Sequence, residues 1–304
     1  MPSIKVIVNP LAGRGYAGRI VPLIRSTFQE LGADFSIVHT QAAGQAVDLA
    51  SQAVADGYET VVAVGGDGTS HEVINGMMAH GDGTPPATLG CIPGGSGNDF
   101  AVMSGAPVDV RKACQQIVHG NSRLIDIGHM TLDGHLTRYF DNAVGIGFDG
   151  WVTIEARKFR HVRGMALYVP VVLKTVFSSM QPMRAAITVD GQTTEKTIVM
   201  AVACNGPREG GSFLVAPDAK YDDGQLDLSV TEWMPRLALL GMVPRFMNGS
   251  HVKDPRVRVE RGREITVTSD DSLVLHVDGE IPCGPVHSVE VRTIPGVLRL
   301  IAPA

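Results

Sequence analysis

Three glycine-rich stretches and one acidic pair carry the residue types and spacing that phosphate chemistry needs. Val64-Gly-Gly-Asp-Gly-Thr69 follows directly on a β-branched run. Gly65, Gly66 and Gly68 let backbone N–H groups face an anion with no Cβ in the way, and a helix beginning there favours negative charge. Asp67 and Thr69 add a carboxylate and a hydroxyl at the same rim. An ordinary turn needs neither, so phosphate binding is the better reading. Ile92-Pro-Gly-Gly-Ser-Gly-Asn-Asp-Phe100 repeats the arrangement, with Gly95, Ser96 and Asn98 at its centre. Ser96, Asn98 and Asp99 are also good helix caps. One such loop is explained by capping; two on neighbouring strand ends point to a single anionic ligand. The third stretch, Val8 to Gly18, fits G-x-G-x-x-G through Gly13, Gly15 and Gly18. That pattern is weak alone. The next strand ends in His39-Thr40-Gln41 without the acid a ribose requires, and Gly145, Gly147 and Gly150 repeat the pattern elsewhere. A Walker A loop is absent, because no Gly-Lys dipeptide occurs.

The acids come next. Asp278 and Glu280 are separated by one glycine at the end of the run Leu273 to Val277, so they can converge on one site. Asp-Gly is equally a hairpin turn, and the spacing alone leaves both readings open. Asp67, Asp99 and Asp126 are oxygen donors suited to Mg²⁺, which prefers hard ligands and keeps part of its water shell. Asp126 is also explicable as a cap. His71-Glu72 begins like a zincin helix, but position 75 is Asn rather than His. Arg157, Lys158, Arg160, His161 and Arg163 precede the apolar stretch Met165 to Phe177. They fit either a face resting on anionic lipid or a solvated face beside a core helix.

These groups need rigid elements to hold them. Strand-like runs at Ile4–Val8, Asp34–His39, Thr60–Val64 and Thr88–Ile92 alternate with helical spacing at Gly18–Leu31, Ala42–Asp56, Glu72–Met78 and Asp99–Met103. This rhythm predicts a parallel sheet flanked by helices, with ligands at the carboxyl ends of its strands. Beyond residue 125 short strands separated by Gly, Asp and Pro turns predict an antiparallel β-sandwich. Two helical segments interrupt it, Gly150–Ser178 and Pro235–Asn248. Thr137–Val144 reads there as one strand, and Arg123–Ile127 and Met130–Leu132 as two. The expected architecture is therefore α/β plus all-β: an α/β domain over 1–124 and a β-sandwich domain over 125–304. The final strand, Val297–Ile301, fits either domain.

Composition narrows the function class. The chain has 304 residues, 44% of them hydrophobic and 19% charged, which supplies two cores and excludes a disordered chain. Its formal net charge of -5 argues against a broad nucleic-acid surface. Four cysteines without a C-x-x-C pair argue against zinc knuckles and disulfide staples. No signal peptide precedes the first strand, and no transmembrane segment is expected. The expected location is cytoplasmic, with contact at the inner membrane face.

Taken together, Asn9-Pro-x-Ala-Gly13, Gly65-Gly-Asp-Gly-Thr69 and Gly95-Ser-Gly-Asn-Asp99 resemble the diacylglycerol kinase catalytic domain. The nearest likeness is to soluble bacterial lipid kinases related to sphingosine and ceramide kinases. Ile125-Asp-Ile-Gly128, Asp222-Asp-Gly224 and Val277-Asp-Gly-Glu280 agree, in the same order along the chain. The resemblance implies ATP and Mg²⁺ in the first domain and a lipid hydroxyl, of diacylglycerol or a relative, as acceptor. It implies nucleotide contacts from Asn9, Gly13, Thr40, the stretch Gly65 to Thr69, Glu72, Gly95, Ser96 and Asn98. His71 stands where such kinases usually carry Asn, and Ser96 where many carry Thr. The resemblance makes Glu280 the proton acceptor, with Asp278 assisting or competing. It makes Asp126 a metal-site acid, and it makes Pro217 to Gln225 a structural metal loop with the Asp223 carboxylate and the Lys220 and Gln225 carbonyls as ligands. A turn between strands is the alternative for that loop. Homodimers are common in such a family. Two other functions remain open: a kinase of a soluble substrate such as NAD, and a non-catalytic nucleotide-binding module.

Overall fold

The computed structural model describes residues 3–79, 83, 85, 87–158, 165–211 and 213–303. The chain forms two compact units, Met1–Ile127 with Ile294–Ala304, and Gly128–Thr293.

In the first unit, β1 (Ser3–Val8), α1 (Ala12–Glu30), β2 (Asp34–His39), α2 (Gln45–Ala55), β3 (Thr60–Gly65), α3 (Asp67–Met78), β4 (Thr88–Pro93), α4 (Asp99–Met103) and α5 (Val110–His119) follow one another. The strands lie parallel in the order β2-β1-β3-β4. Their registers bring Val8 opposite both His39 and Val64, and Gly65 opposite Pro93. The carboxyl ends are therefore level, and the three glycine stretches leave the sheet along one edge. Continuous β-branched runs suit strands covered on both faces. Ile20, Ile24 and Phe28 of α1 and Val110, Cys114 and Ile117 of α5 pack on one face, against Ile4, Val6, Val62 and Ile92. The helices α2 and α3 pack together beside the strands on the other.

Four of these elements differ from the sequence expectation. The third helix begins at Asp67 rather than Glu72, so Gly68 and Thr69 are helical. Its first turn needs no long-chain apolar residue, and periodicity therefore missed it. The helix expected at 18–31 starts at Ala12, with Gly13, Arg14 and Gly15 in left-handed conformation inside it. The helix expected from Ala42 begins at Gln45, after Gly44 at φ 82°. The helix α5 was not foreseen, although Asp109 caps it by accepting the Lys112 N–H at 2.9 Å.

The second unit begins within β5 (Asn121–Leu132), continuous where two strands were expected. Then come β6 (Leu136–Phe140), β7 (Ala143–Gly147), α6 (Phe148–Arg157), α7 (Met165–Ser178), β8 (Met183–Val189), β9 (Gln192–Cys204), β10 (Leu226–Glu232), α8 (Arg236–Asn248), β11 (Val257–Gly262), β12 (Glu264–Leu273), β13 (Leu275–Val277) and β14 (Val286–Ala302). Antiparallel pairing joins β11-β10-β9-β8-β12-β14 in a row, β9 with β7, β7 with β13, and β5 with β6. Phe140, Val144, Ile198, Leu228, Ile265 and Val289 are among its buried core residues. The single strand expected over 137–144 breaks at Asp141-Asn142. The single helix expected over 150–178 is α6 and α7; Arg160, His161 and Arg163 lie outside the described residues. The end of β14 belongs to the first unit, where Leu300 pairs with Leu89 in parallel.

Helices α2 and α3 meet closely at Gly76, where a Cβ would sit 2.2 Å from the Val47 carbonyl oxygen. Backbone cannot retreat from such overlap as a flexible side chain can. Gly76→Ala is therefore expected to destabilise the protein by about 2 kcal/mol, read from the urea midpoint; an unchanged midpoint would contradict this packing.

Candidate functional site

The first unit assembles its site from the ends of β1, β3 and β4. The Gly94 N–H donates to the Gly65 carbonyl at 2.7 Å, and the Asn9 N–H to the Val64 carbonyl at 3.0 Å. The contacts are between backbones. A Cβ on Gly95 would lie 2.3 Å from the Gly66 Cα, and one on Gly13 2.3 Å from the Gly94 carbonyl oxygen. Only glycine allows that approach, which is the physical reason for these residues.

Asp67 ties the loops together. Its Oδ2 accepts the Asn98 N–H at 2.9 Å and its Oδ1 the Phe100 N–H at 3.1 Å. Burial, and next the neighbouring Asp99 carboxylate, push Asp67 up to about 6 against the pull of these hydrogen bonds. The Asn98 side chain accepts the Gly95 N–H at 2.8 Å, and Asn98 itself sits at φ 60°. Asn9 reaches Thr69, Nδ2 to Oγ1 3.4 Å. Thr40 is buried and its N–H donates to the Val8 carbonyl. Ser96 is exposed at the loop tip, and Gly68 lies in the first turn of α3. Asn9, Gly13, Gly65, Gly66, Asp67, Thr69, Gly95 and Asn98 thus meet in one place.

Two predicted residues have other engagements. Glu72 accepts the Gly44 N–H at 2.8 Å and the Ala46 N–H at 3.1 Å, so its carboxylate caps α2. Asp126 is buried and accepts the Gly296 N–H at 2.7 Å, fastening the end of β14 within the first unit.

In the second unit Asp278 and Glu280 share a turn and differ sharply. Asp278 accepts three backbone N–H groups, from Asp141 and Asn142 at 3.0 Å each and from Ala143 at 2.9 Å. This knot is why the strand expected over 137–144 breaks. Glu280 is half-exposed, and its Oε2 pairs with Arg157. Lys158 and Lys174 both pair with Glu155. The two described cations of the basic cluster are thus held by acids of their own unit.

The loop before β10 is held by Arg261, whose guanidinium donates to Asp227 Oδ1 and to the Asp218 carbonyl, both at 2.9 Å. Asp223 accepts the Gln225 N–H at 3.1 Å, a turn contact, and Lys220 is exposed. Burial raises Asp227 above the usual carboxylate range; Arg261 opposes this, while Asp223 and Asp218 add to it. Sequence reasoning missed a further cluster. His276 is fully buried with Nε2 2.7 Å from Glu209 Oε1 and 3.0 Å from Asp149 Oδ2. These residues are far apart in the chain, so no spacing announced them.

Comparison with known proteins follows this geometry. Residues 3–130 match the diacylglycerol kinase catalytic domain, and 142–302 the YegS C-terminal NAD kinase beta sandwich-like domain. A diacylglycerol kinase of Staphylococcus carnosus (strain TM300) is 30% identical, covering 91% of this chain and 88% of its own. One from Staphylococcus aureus (strain JH9) is 32% identical over 91% and 85%. The crystal structure of a diacylglycerol kinase from Bacillus anthracis str. Sterne shares the fold, with TM-score 0.72, 24% identity and coverage of 99% and 97%.

Because Asp67 is raised when folded, the folded protein binds more protons than the unfolded chain between the ordinary carboxylate value and about 6. Stability therefore falls as pH rises through that window. Asp67→Asn removes this term, of about 2 kcal/mol. Urea midpoints at pH 4.5 and 6.5 are expected to drop more steeply in the wild type than in the variant; equal slopes would show that Asp67 is not desolvated.

Proposed function

The chain belongs to the diacylglycerol kinase family, and from that premise we propose that it transfers the γ-phosphate of ATP to a lipid hydroxyl, that of diacylglycerol or a close relative. The observation that carries this reading is the Asp67 carboxylate spanning the Asn98 and Phe100 amides, which holds two glycine loops against each other at level strand ends. Their remaining backbone N–H groups and the start of α3 provide the positive rim a triphosphate needs. Asn9, Gly13, Thr40, Gly68 and Ser96 complete that rim, while Glu72 supports it indirectly by capping α2.

The donor set also fits Mg²⁺. Asp67 and Asp99 repel each other, as the raised Asp67 shows, and a divalent cation relieves such repulsion. Asp126, buried like Asp99, adds a third acid of the same unit. When bound, Mg²⁺ neutralises phosphate charge; positioning is left to the protein. The crowded acids around Asp223 suit a second, structural cation, with the Lys220 and Gln225 carbonyls as further ligands.

Glu280 takes the proton. The lipid oxygen bonds to the γ-phosphorus as the bond to the β-phosphate oxygen breaks, and the hydroxyl proton passes to the Glu280 carboxylate. Asp278 is unsuited to that work because three amides already occupy it. Glu280 Oε2 is held by Arg157, and its Oε1 makes no hydrogen bond to a described residue. No helix among the described residues is long and apolar enough to cross a membrane. The lipid is instead met at the membrane surface, a reading supported by exposed Phe177 of α7 and Leu237 of α8 beside Lys174 and Arg236.

The test is transfer from γ-labelled ATP to vesicles containing diacylglycerol, with sphingosine, ceramide and NAD as other acceptors. Label is expected in a lipid, and Glu280→Gln is expected to lower kcat by about 100-fold or more. Label in NAD alone would overturn the lipid reading, and full kcat in Glu280→Gln would overturn the role of Glu280.

A further inference from the structure

The turn that carries Glu280 has a hydrogen-bonding problem, and His276 solves it. The Glu280 N–H donates to the Val277 carbonyl at 2.7 Å, closing a four-residue turn. Both central residues have positive φ, 47° at Asp278 and 77° at Gly279. That is a type I′ turn, in which the second central N–H points away from the turn's own carbonyls. Here the Gly279 N–H donates to Nδ1 of His276 at 3.2 Å.

The far side of the same ring is gripped by two carboxylates, Glu209 Oε1 at 2.7 Å and Asp149 Oδ2 at 3.0 Å from Nε2. Gly145 of β7 makes room for them. A Cβ there would lie 2.3 Å from Asp149 Oδ2 and 2.4 Å from His276 Nε2. The glycine whose spacing matched a dinucleotide motif by chance thus has a packing reason to be glycine.

Two chemistries fit a histidine between two carboxylates, and the tautomer separates them. The three ligand atoms lie within 4.8 Å of one another, close enough to surround a metal ion. A metal takes the Nε2 lone pair and leaves the ring proton on Nδ1. That proton would confront the Gly279 N–H and break its hydrogen bond to the ring. The arrangement instead requires the proton on Nε2, between the carboxylates, and the lone pair on Nδ1. Burial lowers His276 but Glu209 and Asp149 outweigh it and raise the ring's affinity for a second proton. The Gly279 N–H aimed at Nδ1 opposes a proton there. Burial, then Asp149, push Glu209 up to about 7, which gives an extra proton a home away from Nδ1. The other charged groups facing the ring are Asp278 within the turn and the Glu280–Arg157 pair beyond it.

We propose that His276 is a positioning residue for the reaction: Asp149 and Glu209 fix its proton on Nε2, and its Nδ1 holds the Gly279 N–H and so the direction in which Glu280 leaves the turn. The proposal rests on the reading of Glu280 as proton acceptor.

The test pairs two amide variants with one measurement on the unaltered full chain. In His276→Asn the side-chain oxygen reaches the place of Nδ1 and still accepts from Gly279; in His276→Gln the amide sits nearer the place of Nε2. His276→Gln is expected to lose kcat by about 30-fold with KM for ATP within about twofold, and His276→Asn to recover kcat to within about fivefold of wild type. Histidine ¹⁵N spectra of the wild-type protein are expected to show one ring protonated at Nε2 and bare at Nδ1, and metal analysis to show no transition metal bound at this cluster. An Nδ1–H tautomer, a stoichiometric metal lost on Asp149→Asn, or full kcat in His276→Gln would each overturn the proposal, and the spectra decide even if a variant fails to fold. Glu280→Gln run alongside separates the two readings. If it is inactive while His276→Gln keeps full kcat, only the positioning role falls; if it is active, the proton-acceptor reading falls first.

Discussion

Backbone N–H groups at strand ends and in turns have no ladder partner, and in this protein carboxylates supply one. A carboxylate only accepts, and its two oxygens offer about four sites, so one acid can gather amides from distant segments. Asp67 gathers Asn98 and Phe100, Glu72 gathers Gly44 and Ala46, and Asp278 gathers Asp141, Asn142 and Ala143. Asp126 takes Gly296, Asp133 takes His287 and Ser288, and Asp190 takes Arg263 and Glu264. Each closes a loop whose ends are far apart in the chain. The glycine loops can touch because glycine permits it, and they stay in contact because Asp67 holds them.

That division of labour sorts the acids chemically. Amide hydrogen bonds stabilise an acid as an anion and make it a poorer proton acceptor, although at Asp67 burial outweighs them. Among the described residues Glu280 pairs through Oε2 with Arg157, and both side chains are half-exposed. Asp278 pulls in the opposite direction, locking the start of β7 to the turn. Asp278 thus builds the turn from which Glu280 projects.

His276 extends the same logic inward. The Asp278 N–H goes to the Ala143 carbonyl and the Glu280 N–H to the Val277 carbonyl, His276 accepts the Gly279 N–H between them, and two further acids hold the ring. The support beneath Glu280 is therefore polar and buried. Such a network is rigid when every member is satisfied and costly when one is removed.

Much of this was legible in the residues themselves. Runs of β-branched residues alternating with 3.6-residue periodicity announced the parallel sheet, and glycines directly after a strand announced loops at its strand ends, because both signals are local and backbone chemistry produces them directly. Helix α5 was legible too, from Asp109 and the spacing of Val110, Ala113, Cys114 and Ile117, and was overlooked. What the residues could not disclose was where each carboxylate points. Glu72 looked like part of the nucleotide rim and caps α2; Asp278 looked like a catalytic partner and ties β7; Asp149, Glu209 and His276 looked unrelated and form one cluster. The chain alone determined its elements, its glycine loops and its supply of acids, because these follow from local conformational preference and side-chain chemistry. Only the tertiary structure decided which acids became anchors and which stayed open, because a carboxylate's role depends on the donors that folding brings to it from elsewhere in the chain.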